Sequence, residues 1–485
     1  DCTCASRNQC GTTSLTSIMS TNAVHFGDKH VVVVGAGIAG LATAHHLLKQ
    51  QNPPRVTIVE SNDRVGGVIH ASPFAGLHSV DESADAFLTR TPAAMSLAAD
   101  VGLDNQLTSP ARSHAYIWSN SIHPIPHNMV LGVPGSLSSI WQTPVLSIPG
   151  KMRASLEQLI PSPVGRGHDN MGKAIRSRFG AQVLERLVDP LVGSIYATDT
   201  DHFSVQGMPQ VAELLAQRGS LTRASHRAIQ RRTEGGPIFA TPLGGMSALT
   251  SAVHHSIVER GCNVLLSSPV NEISRNGRAY RLNCGASSFD ADAIVLATPA
   301  KHTAPFMQTL DADFAAQFAH VEHASVVMIA LTVPRSQWPQ HLTGTGYLVP
   351  KPMQTAVTAV SFGSNKWAHW QTKDNDMILR VSLGRDGMPM HHLDDERLLA
   401  LALADLQWHL GIDVQPTHVR LTRWVESFPQ YRPGHSERID WLERTLGAVA
   451  PGIAIAGASY RGIGIPACIA SAQHAASQTL SALGS

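Results

Sequence analysis

HVVVVGAGIAGLATAHHL, residues 30–47, joins four consecutive valines to a glycine-rich turn and a run of small residues. Val31 to Val34 show no polar alternation, the pattern of a strand buried on both faces as in parallel sheets. Gly35-Ala36-Gly37-Ile38-Ala39-Gly40 fits G-x-G-x-x-G. In that pattern Gly35 makes the tight turn, Gly37 lets the backbone approach a pyrophosphate, and Gly40 lets helix and strand touch. The helix that starts at Ile38 and Ala39 would present free N–H groups and a partial positive charge to phosphates. A second strand, Val56 to Val59, ends on Glu60. An acid at that place can accept hydrogen bonds from a ribose, and it favours an unphosphorylated one, so FAD or NAD over NADP.

The chain has 485 residues, 43% hydrophobic and 15% charged, which predicts a globular protein of two or three domains, or of one cofactor domain with long insertions. A net charge of +1 gives no electrostatic footprint for nucleic acid. Cys2, Cys4 and Cys10 cluster at the start, while Cys262, Cys284 and Cys468 are scattered. This is no disulfide framework and no zinc spacing, and it points to a reducing, cytosolic compartment. Residues 1–18 lack the charged and apolar regions of a signal peptide; they are expected to be upstream of a natural start at Met19 and disordered. No apolar run reaches the length of a transmembrane helix.

Outward from the first motif, Glu60 is followed by Ser61-Asn62-Asp63-Arg64-Val65-Gly66-Gly67-Val68. Residues 93–103 predict a helix and 111–126 a hairpin turning at Ser119-Asn120. Between Val130 and Pro163, four prolines among large apolar residues predict short helices. These have their own core or form an apolar rim for a membrane surface or an oily substrate. A helical stretch from Gly172 is expected to end at Asp189-Pro190, with 193–199 a loop. Arg223, His226, Arg227, Arg231 and Arg232 read as a solvated basic face. A helix from Met246 to about Arg260 and strands at 264–266 and 293–297 then resume the first domain. Strands at 326–333, 356–361 and 377–383, with a helix over 395–410, suggest an antiparallel sheet. A last strand at 453–456 leads to a helix from about Pro466 to Leu483.

The fold class is therefore α/β with α+β insertions: a Rossmann-like domain, a mixed-sheet substrate domain and a helical insertion. The expected division is a tail at 1–28, a discontinuous cofactor domain at 29–105, 235–300 and 418–485, a helical insertion at 106–234, and a substrate domain at 301–417.

Arg64-x-Gly66-Gly67 resembles the second signature of the flavin-dependent amine oxidase superfamily. Further elements narrow this: DAFLTRTP at 85–92, DPLVGSIYATD at 189–199, TPLGGMSAL at 241–249, GTGYLVP at 344–350, RWVESFPQYRPGH at 423–435 and GASYRGIGIPACI at 457–469. Together they resemble the oxygen-dependent, FAD-containing porphyrinogen oxidases of haem synthesis, and DAFLTRTP looks like the bacterial branch acting on coproporphyrinogen III. Protoporphyrinogen IX is the alternative substrate. An amine oxidase, a carotenoid desaturase, or a flavin-free binding protein like the GDP-dissociation inhibitors would share the architecture. RWVESFPQYRPGH argues against the first two, and the intact glycine motif argues against the last. Where relatives show an acid-x-Gly, this chain has Asp81-Glu82-Ser83, which puts the local backbone near the flavin in doubt.

The resemblance implies FAD contacts from Gly35, Gly37, Ile38, Ala39, Gly40, Glu60, Ser61, Arg64, Gly66, Gly67, Val68, Val270, Ala297, Trp424, Gly457, Ile463, Gly464 and Ile465. It implies a six-electron oxidation with O2 as acceptor and H2O2 as product, in which the cofactor does the hard chemistry. No catalytic side chain is assigned, and no metal. Substrate carboxylates need cations, for which Arg112, Arg380, Lys366 and Arg461 are candidates, with His114 where relatives can carry an arginine. Leu348, Phe362 and Trp367 are expected against the macrocycle. A ferrochelatase-type next enzyme and a weak membrane-surface contact are expected partners.

Overall fold

The first strand, Gly27–Val34, is the middle of a five-stranded parallel sheet. The computed structural model describes residues 27–231, 236–285 and 287–484; the expectations for residues 1–18, Met19 and Arg232 lie outside them. On one side of the first strand lie Pro54–Val59 and then Asn263–Leu265; on the other lie Ala293–Leu296 and Ile453–Ile455. Val31, Val32 and Val33 are wholly buried because helices cover both faces. One face carries the helix Ile38–Leu48, packed against the final helix Ile465–Leu483 and the helix Ser247–Glu259. The other packs on the Ala300–Gln308, Ala312–Phe318 and His435–Val449 helices. Stretches far apart in sequence thus close one core.

A seven-stranded mixed sheet forms the second layer. Its order is Val419–Pro429, His323–Val333, Met377–Leu383, Val357–Phe362, Gly346–Leu348, Tyr116–Trp118 and Ile122–Pro124. Two expected boundaries are corrected by it. The strand Val419–Pro429, placed within the cofactor domain, runs beside His323–Val333 in the mixed sheet. The hairpin at 116–124, placed in the helical insertion, pairs with Gly346–Leu348. In each case the backbone groups of an open sheet edge are satisfied by a strand from a neighbouring segment.

The helical region has its own core, from Val130 and Ile140 through Phe179 and Leu187 to Leu221. Its short helices Leu137–Gln142 and Ile148–Ser155 begin at Ser136 and Ser147, whose hydroxyls accept backbone N–H bonds. One expectation fails here: the chain stays helical past Pro190. A π-helical turn, Leu184–Val188, runs directly into the helix Asp189–Tyr196. Pro190 follows directly on that π-helical turn, a local change of the hydrogen-bond ladder of the kind found where a helix carries a proline, and Ala197 at φ +49° ends the helix. Glu157 and Arg178, both wholly buried, tie the turn Leu156–Leu159 to the rest. Among the described residues no helix is long and apolar enough to cross a membrane.

Candidate active site

Gly35 stands at φ +101°, and a Cβ there would lie 2.9 Å from the Ala297 carbonyl oxygen. A Cβ at Gly40 would fall 1.9 Å from the Gly35 carbonyl oxygen, so helix and strand touch at that point. The second glycine element backs the first: the Gly66 N–H donates to the Ala36 carbonyl at 2.8 Å, and a Cβ on Gly67 would come within 3.2 Å of the Gly37 Cα. Gly37 differs from these. Its φ of −68° suits any residue, and its Cβ would meet only the Gly67 Cα, at 4.0 Å. Nothing among the described residues requires glycine there, so the vacant side-chain position is room for a further group.

The helix Ile38–Leu48 starts at Gly37 with no side-chain cap, and the final helix starts at Gly464 in the same way. The helices that begin at Asn170, Ser220, Asp311 and Asp394 all have side-chain caps. Uncapped N–H groups beside open space suit an anion. Glu60 does a second job beyond the expected one. Its Oε2 accepts the Ala36 N–H at 2.7 Å and its Oε1 accepts the Asn62 N–H at 2.9 Å, which pins the glycine turn. Oε2 keeps a lone pair for a ribose hydroxyl. Ser61 donates to Glu60 at 3.2 Å. The turn before Val270 is fastened to this segment, with Ser267 and Ser268 N–H groups on the Asn62 and Glu60 carbonyls at 2.8 and 2.7 Å. Arg64 is half-buried and Val68 exposed. Ile463 is half-buried just before the final helix, and Ile465 is buried at its first position. A Cβ on Gly457 would pack at 3.7 Å on Ala39. The residues present fit a dinucleotide lying from Glu60 across Gly37 toward Gly464.

The register of the mixed sheet decides which side chains share a face. Arg420, Ala330, Arg380, Ser361 and Gly346 are paired across neighbouring strands and so share a face. Thr422, Met328, Ser382, Ala359 and Leu348 form the adjacent row on that face. It is laced to the segment 72–85. Arg420 donates to the Val80 carbonyl at 2.9 Å, Thr422 to Glu82 at 2.7 Å, and the Trp424 indole to the Glu82 carbonyl at 2.9 Å. Met328, Ser382, Ala359 and Leu348 are half-buried and leave a partly open strip. Sequence reasoning named only Leu348 of these four. The alternation in the predicted strands held the signal.

Two expected substrate contacts are corrected, Phe362 by this parity and Trp367 by its burial. Phe362 pairs with Leu379 on the opposite face and is wholly buried against Trp338 and Tyr347. Trp367 is wholly buried with Trp370, Phe74 and Ile378, its indole donating to Asp85 at 3.1 Å. Neither offers surface to a ligand. The cations also sort themselves. Arg461 is paired with Asp440 and Glu443. Arg380, 4% exposed, is bonded to Asp85 at 3.1 Å and to the Ser83 carbonyl. Lys366 meets Asp85 at 2.8 Å. Arg112 and His114 are exposed, with His114 3.3 Å from the Thr343 hydroxyl. Burial opposes charge on Asp85, yet Lys366 and Arg380 hold its carboxyl well below the usual range. Burial pushes Asp81 up to about 7, against the pull of Arg380 and of the Met246 N–H it accepts. Ser83 accommodates the lost glycine without a left-handed backbone, but its hydroxyl is buried without a partner, as are Arg380 Nε and Ser361 Oγ. Among the described residues no cluster could hold a metal ion.

The sequence pattern of the family described as flavin containing amine oxidoreductase matches residues 38–480. A coproporphyrinogen III oxidase of Bacillus subtilis is 30% identical over 94% of this chain and 99% of its own. One of Mycobacterium bovis is 32% identical over 93% and 97%. The crystal structure of an Exiguobacterium protein, provisionally named a protoporphyrinogen oxidase, superposes with a TM-score of 0.82 at 27% identity, covering 95% of this chain and all of that one.

Proposed function

The chain belongs to the flavin containing amine oxidoreductases, in their porphyrinogen oxidase branch, and on that premise we propose that it oxidises coproporphyrinogen III to coproporphyrin III with O2 as acceptor. The cofactor is FAD, held by the two glycine elements, Glu60 and the start of the final helix. Bound there, FAD supplies the hydride acceptor that a side chain cannot. The protein's part is to hold and orient. Gly37 and Gly67 keep the backbone clear for the pyrophosphate. The uncapped Gly464 helix start offers N–H groups to the end of the cofactor that gains negative charge. The strip of Met328, Ser382, Ala359 and Leu348 gives a flat ring a partly apolar floor.

The observation that carries this reading is the half-open strip of Met328, Ser382, Ala359 and Leu348, on the face of the mixed sheet that is bonded to the segment 72–85. Aerobic turnover of coproporphyrinogen III and protoporphyrinogen IX side by side tests it. Coproporphyrinogen should give a fluorescent porphyrin and peroxide at the higher kcat/KM. Reaction with protoporphyrinogen alone would reassign the substrate, and reaction with neither would refute the reading.

A weak contact with a membrane surface belongs to the same proposal, as does hand-over of the product to a ferrochelatase-type enzyme. The support for the former is a row of apolar side chains turned outward on the helical region. It includes Trp141, Met152 and Leu156, with Ile148 67% and Leu159 79% exposed.

A further inference from the structure

RWVESFPQYRPGH and GASYRGIGIPACI meet at one helical turn, Ala458–Arg461, between the last strand of the parallel sheet and the final helix. The turn starts against the first glycine element, where a Cβ on Gly457 would touch Ala39 at 3.7 Å. It leads into Gly462 at φ +124° and Gly464 at φ +104°, and a Cβ on Gly464 would meet nothing within 4 Å. The course of these few residues sets where the uncapped N–H groups of the final helix point. Glycine supplies no stiffness of its own, so the segment must be held from outside.

The side chain of Tyr431 holds it. The Ala458 carbonyl and the Gly462 N–H are four residues apart, the spacing of one helical bond. The Tyr431 hydroxyl stands between them: it accepts the Gly462 N–H at 2.9 Å and donates to the Ala458 carbonyl. A side chain inserted in the ladder opens a helix and turns the chain that follows. Burial pushes the Tyr431 phenol well above its usual pKa, so it stays protonated and keeps its donor. Packing fixes the ring. It is 3% exposed, stacked on His435 at 4.1 Å and near-parallel to Phe203 at 6.2 Å. The Ser204 N–H, on the Tyr431 carbonyl at 2.7 Å, fastens the same residue to the helical region. His435 grips the turn as well, with its Nε2 3.0 Å from the Tyr460 carbonyl. Burial lowers the His435 pKa to about 4, so the ring is neutral and Nε2 carries its one N–H.

We propose that Tyr431 is a positioning residue for the cofactor: by opening the turn at Gly462, its hydroxyl aims the start of the final helix at the end of FAD that gains negative charge on reduction. The inference rests on the proposed seat of FAD at this helix start and is independent of which porphyrinogen is oxidised. Tyr431 acts through the backbone of Gly462–Gly464. Without the hydroxyl, the Gly462 N–H can close directly on the Ala458 carbonyl, which spares the fold and redirects the helix start.

Tyr431→Phe keeps the ring and removes the wedge. The reduction potential of the bound FAD, measured by equilibration with a reference dye, should fall. The expected change is a roughly tenfold loss in the preference for reduced over oxidised flavin, about 30 mV for a two-electron couple. Affinity for oxidised FAD should stay within about threefold of wild type. Tyr460→Phe is the control. Its hydroxyl belongs to an equally buried ring but lies 2.7 Å from the Thr303 hydroxyl and donates to the Thr298 carbonyl at 3.3 Å, away from the turn's own backbone. Its loss should lower the melting temperature and leave the preference within about twofold of wild type. Amide hydrogen exchange on the same full-length chains should change in Tyr431→Phe across 457–466 and not in the helical region.

An unchanged or raised potential in Tyr431→Phe overturns the proposal. So does an equal fall in Tyr460→Phe, since any hydroxyl lost from this turn would then suffice. Exchange tells which premise failed. Unaltered exchange over 457–466 refutes the wedge, whereas altered exchange with an unaltered potential refutes the seat of FAD at the Gly464 helix start. If Tyr431→Phe cannot be loaded with FAD, exchange decides. A change confined to 457–466 supports the wedge; one that spreads through the helical region makes Tyr431 a scaffold residue and overturns it.

Discussion

Two alanines placed three residues apart should have opposite effects, because Gly37 and Gly40 are glycine for different reasons. A Cβ at Gly40 would sit 1.9 Å from the Gly35 carbonyl oxygen and 3.4 Å from the Ala297 Cβ. The carbonyl cannot retreat, since Gly35 is held at φ +101° with its N–H on the Val59 carbonyl at 2.8 Å. The helix must therefore move off the sheet. Overpacking of this kind costs about 3 kcal/mol, the upper end for an added carbon in a tight core. At about 2 °C per kcal/mol for a chain of this size, Gly40→Ala should melt about 6 °C below wild type even without cofactor. Gly37→Ala meets only a Cα at 4.0 Å, at a φ open to alanine. Its flavin-free form should melt within about 1 °C of wild type, while its affinity for FAD falls at least tenfold, about 1.4 kcal/mol. Thermal melts of deflavinated protein, followed by FAD titration through flavin fluorescence, separate the two. Wild-type FAD affinity in Gly37→Ala would refute the pyrophosphate assignment. A wild-type melt in Gly40→Ala would refute the packing argument.

Glu157 accepts bonds from Arg178, Ser220 at 2.6 Å, Leu221 N–H at 2.7 Å and Thr222, so Glu157→Gln should destabilise by about 3 kcal/mol in denaturant melts. Burial raises the Glu157 pKa, but Ser220, Arg178 and the other donors outweigh it and leave it lowered from 4.5. Its contribution is therefore present above that value and lost on acidification, and the variant should lack that acid-side loss. Asp81 has the opposite sign. With a folded pKa near 7 against 3.8 unfolded, stability should fall as pH rises between these values. Asp81→Asn, which keeps an acceptor for the Met246 N–H, should flatten that slope in pH-dependent melts. Ile148→Glu with Leu159→Glu should leave turnover and melting unchanged and abolish co-sedimentation with anionic lipid vesicles; equal sedimentation would refute the membrane contact. Phe362→Leu should lower the melting temperature and leave KM for the porphyrinogen within about twofold, since the ring lies on the far face of the sheet.

Much of the parallel layer could be read from residues 30–60, because a buried strand, a glycine turn and an uncapped helix each impose a local composition. Val31–Val34, Gly35, Gly40 and Glu60 fall where their chemistry requires. The helix over 395–410 was legible for the same reason: Asp394 caps it and Gly411 at φ +68° ends it. What escaped depends on partners remote in sequence. The strand Val419–Pro429 looks much like a strand of the cofactor layer until its register with His323–Val333 is known. The helix through Pro190 was hidden by a proline rule that the π-helical turn Leu184–Val188 just before it relaxes.

The site shows the same limit at the scale of one residue. Phe362 and Ser361 are neighbours in sequence, and both could be proposed for a substrate wall on chemistry alone. A strand turns them to opposite faces, so only one lies on the face that is bonded to the segment 72–85. Which one is fixed by pairing, and the pairing of Ser361 with Arg380 selects Ser361. Aromatic chemistry favoured Phe362, but a large apolar ring is also what the closed face of a sheet needs most. On the proposed reading the half-open face can be built from small and polar side chains, because a flat ring bound there would bring its own apolar surface. Candidate walls for flat substrates in such sheets are thus better sought among residues such as Ala359 and Ser382 than among the aromatics beside them.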